Sequence, residues 1–108
     1  MRAFVILSML GALAPGVVTA AETVAVEIAG FAFDPPSVTV KQGTRVVFVN
    51  RDQVPHSVVG RLGDQEIFRS PEQIDTDESF SVIAKASGEV ALVCGLHSRI
   101  TGKIDVAD

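Results

Sequence analysis

The chain has 108 residues, with 13 acidic and 9 basic side chains, a formal net charge of −4 and a single cysteine. That length fits one domain with a modest core. The acidic balance argues against nucleic acid as a partner, and one cysteine excludes an intrachain disulfide.

The first residues have the form of a secretory signal. Arg2 precedes an apolar run over 3–14, Pro15-Gly16 ends it, and Val18-Thr19-Ala20-Ala21 supplies small residues for cleavage. The expected signal spans 1–20, with the cut after Ala20 or Ala21. Its apolar run is short for a bilayer, which takes about 20 residues, so no stable membrane insertion is expected. Residues 22–108 then form a single mature domain, exported to the periplasm. Removal of Arg2 takes the net charge from −4 to −5.

Thr23–Ile28 alternates apolar and polar residues and reads as a first strand. Gly30 breaks it. Phe31-Ala32-Phe33 continues toward Asp34-Pro35-Pro36, where two prolines exclude helix. Residues 37–40 alternate, and Lys41-Gln42-Gly43-Thr44 is a turn. Arg45–Asn50 is β-branched and apolar, the strongest strand signal in the chain. A polar loop, Arg51 to Pro55, leads to His56, after which 57–59 resume a strand.

Residues 60–77 carry the weakest pattern. Residues 61–66 read as a surface loop and Ile67-Phe68 as an apolar pair held in the core. Ser70-Pro71 could start a helical turn. Asp75, Asp77 and Glu78 read as a solvated acidic loop in preference to a calcium site. Residues 78–82, 90–94 and 101–106 complete the strands. Seven or eight short strands separated by Gly and Pro, with no helical period, predict an all-β fold. The expected architecture is an antiparallel Greek-key sandwich.

The chemistry concentrates after residue 93. Cys94 follows an apolar run, and His97 follows at Cys-x-x-His spacing with Gly95 between them. His56, the only other histidine, also sits at a strand end. A thiolate and two imidazoles suit one soft or borderline metal ion. An unpaired cysteine in an oxidising compartment is otherwise buried or paired between chains.

Phe31-x-Phe33-x-Pro35-x-x-Val38-x-Val40-x-x-Gly43, then Val46-x-Phe48-x-Asn50, Pro55-His56, Cys94-x-x-His97 and Gly102-x-Ile104-x-Val106 together resemble the cupredoxins. Within them the pattern is most similar to the amicyanin and plastocyanin-like branch, and it covers nearly all of 22–108. The resemblance implies one type 1 copper ion, Cu(I)/Cu(II), held by His56, Cys94 and His97. It implies that Asn50 ties the two ligand loops together from outside the ligand set. It also implies an axial methionine three residues after the second histidine, where this chain has Ile100. The only methionines are Met1 and Met9, so residues 22–108 contain no thioether. No Gln occupies the loop, and the Pro55 carbonyl is the remaining weak donor. Ser98 stands where proline is usual, and Val90 and Leu92 where aromatics are common.

The resemblance implies a small electron-transfer carrier, expected as a monomer. The alternative is a copper-binding or delivery protein. A redox partner is expected to dock near His97, Leu96 and Ile100. An enzyme is not expected. A multicopper oxidase needs more than two histidines, and nothing marks a hydrolase's oxyanion hole.

Overall fold

The computed structural model describes residues 22–108. The segment read as an export signal, 1–20, and its cleavage site lie outside them. Nine strands follow in chain order: β1 (Thr23–Ile28), β2 (Phe33–Asp34), β3 (Ser37–Lys41), β4 (Arg45–Asn50), β5 (Val59–Leu62), β6 (Gln65–Arg69), β7 (Ser79–Ile83), β8 (Gly88–Val93) and β9 (Thr101–Ala107). No helix occurs among the described residues.

The strands form two sheets, one in the order β2-β1-β4-β7 and the other β3-β9-β8-β5-β6. The period-2 pattern decides which side chains face inward. Val26 and Ile28 of β1, and Val46, Phe48 and Asn50 of β4, are buried. Opposite them lie Val40, Val90, Leu92, Ile104 and Val106 of the second sheet. Phe48 is central, with ring centroids 6.2 Å from Phe33, 6.1 Å from Phe68 and 6.4 Å from Phe80. Burial of such apolar faces is the main force holding a domain of this size together.

Two strand pairs are parallel, β1 with β4 and β9 with β3. The sandwich is therefore mixed, where the sequence suggested antiparallel pairing throughout. Alternation along a strand reports its buried face but not its direction. The ninth strand comes from the weakly patterned region. Residues 61–66, expected as a surface loop, instead belong to a β5–β6 hairpin with Leu62 opposite Gln65. Gly63 has φ +62° at its corner, a conformation glycine adopts freely. Phe68 packs on the core as expected, but Ile67 is 41% exposed on the outer face of β6. Ser70 caps no helix. Its Oγ accepts the Val58 N–H at 2.9 Å and donates to the Pro71 carbonyl at 2.8 Å, which fastens this segment beside β5.

Candidate metal centre

Sheet register brings the two cluster loops together. β5 and β8 pair antiparallel with Val59 opposite Val93. Carrying that register two residues further sets Ser57 against Gly95 and Val58 against Cys94. The Gly95 N–H donates to Ser57 Oγ at 2.8 Å, and the Ser57 N–H donates to Cys94 Sγ at 3.3 Å. Gly95 does not have a left-handed φ. Its smallness matters because a Cβ there would lie 2.7 Å from Ser57 Oγ.

The turn between β8 and β9 explains the Cys-x-x-His spacing. The Cys94 N–H donates to the Ile100 carbonyl at 3.0 Å, the His97 N–H to the Cys94 carbonyl at 3.3 Å, and the Ile100 N–H to the His97 carbonyl at 2.9 Å. One compact turn thus presents Cys94 and His97 on the same side.

His56 arrives from the other loop. Its N–H donates to the Ile74 carbonyl at 3.2 Å, and the Ile74 N–H returns to the His56 carbonyl at 2.7 Å. Ile74 is itself buried and anchors the bridge. His56 and Cys94 have no exposed surface, whereas His97 is half-buried.

The donor atoms of His56, Cys94 and His97 all lie within 4.8 Å of one another. Each histidine Nδ1 is 3.7 Å from Cys94 Sγ. Two metal bonds of roughly 2.0–2.3 Å span that distance when they open to about a trigonal angle. Two imidazoles and a thiolate in trigonal array are a copper-type donor set.

The His56 ring is fixed from behind. Its Nε2 lies 2.8 Å from Asp52 Oδ2. A carboxylate only accepts, so Nε2 carries the proton and Nδ1 turns its lone pair toward Cys94. Asp52 Oδ1 also accepts the Gly30 N–H at 2.7 Å, and Oδ2 the Phe31 N–H at 2.9 Å. Burial pushes the Asp52 carboxyl up. The hydrogen bonds from Phe31, His56 and Gly30 outweigh burial and hold it below the usual aspartate value.

Asn50 is fully buried, but it does not join the two cluster loops. Its Nδ2 donates to the carbonyls of Val54 and Ile74, both at 2.8 Å, and its Oδ1 accepts the Asp52 N–H at 2.9 Å. All these partners lie on the His56 side. Ser57 makes the connection instead.

Ile100 is buried in the core cluster that includes Cys94. At 4% exposure it cannot belong to a docking surface, contrary to expectation. The exposed apolar residues of these loops are Leu96, Val54 and Phe31. Phe31 sets its ring edge-on to both histidines, 5.4 Å from His56 and 5.5 Å from His97. Asp52, Ser57 and Ile74 were not singled out from the sequence, and Phe31 only as part of the family pattern. Adjacency to His56 was the only available signal for Ser57, and four-residue spacing the only one for Asp52.

Residues 2–106 match the profile of the family described as cupredoxin-like domain. The chain is 30% identical over 88 residues to amicyanin from Paracoccus versutus, a match covering 80% of this chain and 66% of that protein. It spans about two-thirds of that relative's length. Among solved structures, a reduced amicyanin variant superposes with a TM-score of 0.72 at 25% identity, covering 82% of this chain and 86% of that one. A Cu(I) amicyanin variant gives 0.71 at 26% identity, covering 79% and 82%. A copper-containing nitrite reductase from Thermus scotoductus gives 0.73 at 25% identity, but this chain covers only 25% of that one.

Proposed function

We infer that this chain, which belongs to the cupredoxin-like family, is an exported copper protein that carries single electrons and catalyses no bond chemistry. The observation that carries the reading is the convergence of His56, Cys94 and His97, whose donor atoms lie within 4.8 Å of one another, with each histidine Nδ1 3.7 Å from Cys94 Sγ.

His56, Cys94 and His97 would hold the ion, and copper supplies a one-electron Cu(I)/Cu(II) couple when bound. The protein's part is to keep the donors still. Asp52 fixes the His56 ring, the Ile74 bridge fixes its backbone, and the 94–100 turn fixes Cys94 relative to His97. The Ser57 N–H supports negative charge on the sulfur. A frame that does not rearrange between charge states keeps the cost of electron exchange low. Ile100, which has no donor atom, stands where the resemblance implies a thioether, so the three named donors would hold the ion without one. The half-buried His97 edge, with the exposed Leu96 next to it in the turn, is the proposed contact for a redox protein.

A carrier exchanges electrons and retains its metal. A delivery protein surrenders it. Stopped-flow reduction of the copper-loaded chain by a small one-electron donor, run beside competition with a Cu(I) chelator, separates the two. Fast reversible reduction with metal retained supports the carrier. Slow reduction with rapid metal loss supports delivery.

A further inference from the structure

His56 and His97 are restrained unequally. His56 is fully buried and bonded through Nε2 to Asp52. For His97, the only side-chain hydrogen bond among the described residues is between Nδ1 and Cys94. Its Nε2 has no hydrogen-bond partner among the described residues, and its ring is half-buried. Something else must set the plane of that ring.

Phe31 touches it. The two rings meet edge-on, with centroids 5.5 Å apart at 81°, a favourable aromatic geometry. The same phenyl ring meets His56 at 5.4 Å and 89°. Phe31 therefore spans both imidazoles from outside, although 53% of its surface is exposed.

Its backbone is unusual as well. Phe31 has φ +57°, a left-handed conformation that costs free energy for a side chain of this size. The turn is held in place against that cost. Ala29 and Ala32 exchange backbone hydrogen bonds at 2.9 and 3.2 Å. Asp52 grips the Gly30 and Phe31 N–H groups with the carboxylate that also grips His56. An exposed phenylalanine held in a strained turn gains little for the core. The strain has a purpose if the ring must sit where it does.

We propose that Phe31 is a positioning residue that restrains the His97 imidazole toward Cys94, with Asp52 coupling that restraint to His56. This rests on the reading of His97 as a ligand. With Phe31 in place, His97 cannot swing outward without breaking its edge-on contact with the phenyl ring. Without it, the Nδ1 interaction and the contact with the His56 ring, centroids 5.0 Å apart at 69°, are what remain to oppose rotation.

The test uses the full chain, metal-free and loaded with Cu(I). Phe31→Asn tolerates the left-handed turn but lacks the ring. Phe31→Ala lacks both, and Phe31→Tyr keeps the ring. In the metal-free protein, 13C relaxation of the His97 ring reports its order. A rigid ring, with order parameter near ~0.85, is expected in wild type and Phe31→Tyr, and a value below ~0.6 in Phe31→Asn. Thermal stability should not fall in Phe31→Asn, which separates restraint of the ring from general support of the fold. Cu(I) loss to a chelator should be about tenfold faster in Phe31→Asn and Phe31→Ala and restored in Phe31→Tyr. Equal His97 order in wild type and Phe31→Asn would overturn the proposal. Failure of the wild type to bind Cu(I) would contradict the ligand reading, while the ring-order comparison still decides the restraint.

Discussion

The backbone N–H of Ser57 donates to the Sγ of Cys94 at 3.3 Å, and the Ser57 hydroxyl accepts the N–H of the next residue, Gly95. One residue thus joins the loop of His56 to the loop of Cys94 and His97. Ser57→Ala keeps the backbone donor to sulfur but leaves the Gly95 N–H without its partner. The expected cost is about 1–2 kcal/mol, a fall of several degrees in Tm, with the copper absorption band retained. Thermal unfolding of the metal-free protein, paired with a visible spectrum of the loaded one, checks both. A Tm equal to wild type would show that the hydroxyl bond adds nothing.

Gly60 is needed for a different reason. A Cβ at this position would collide with the Phe68 ring, which packs on Phe48 and Phe80. Gly60→Ala therefore overpacks the core at the β5 bulge and should cost about 1–3 kcal/mol. Denaturant unfolding should show a lower midpoint at unchanged slope. The copper spectrum should be that of wild type, because the collision lies in the core and not among the donor atoms.

Much of the candidate centre was legible in the sequence. Cys94 and His97 carry their spacing openly, and the turn closes over that three-residue step with the His97 N–H on the Cys94 carbonyl. His56 was legible because it is the one other histidine and follows Pro55. The strands with strict alternation, such as Thr23–Ile28 and Arg45–Asn50, lie where their patterns suggest. The β5–β6 hairpin was missed although Gly63-Asp64 is a two-residue turn signal. Arg61 and Glu66, paired across it, are polar because both are exposed. Strand direction was not legible, since parallel and antiparallel strands bury alternate residues alike. Asn50 was legible as a buried anchor but not in its partners, which are backbone groups of Val54, Ile74 and Asp52. Phe31 carried no signal of its role, because an exposed aromatic becomes informative only when its neighbours are known.

Leu96 is 45% exposed beside His97. A charge there should disturb an apolar docking face without reaching the donor atoms. Leu96→Asp is expected to slow electron exchange with a partner protein on the order of tenfold. Exchange with a small inorganic reagent should change little. If the two reagents slow alike, the effect lies in the centre itself and this face is not the docking surface.

Ile100 is buried and has no donor atom. A donor set without a thioether favours Cu(I) and raises the potential. Ile100→Met should therefore lower it by an amount on the order of 60 mV or a few times that, where ~59 mV is a tenfold change for a one-electron couple. Voltammetry of both proteins in one buffer decides. A potential that stays or rises would mean that Ile100 is a packing residue set away from the metal.

The central claim is that His56, Cys94 and His97 bind one copper ion through the Cys94 sulfur. Titration of the metal-free protein with Cu(II), followed in the visible region, tests it most directly when Cys94→Ser is run alongside. The account predicts an intense thiolate-to-copper band in wild type that saturates at one ion per chain and is absent from Cys94→Ser. No band in wild type, or a band that survives in Cys94→Ser, would contradict it.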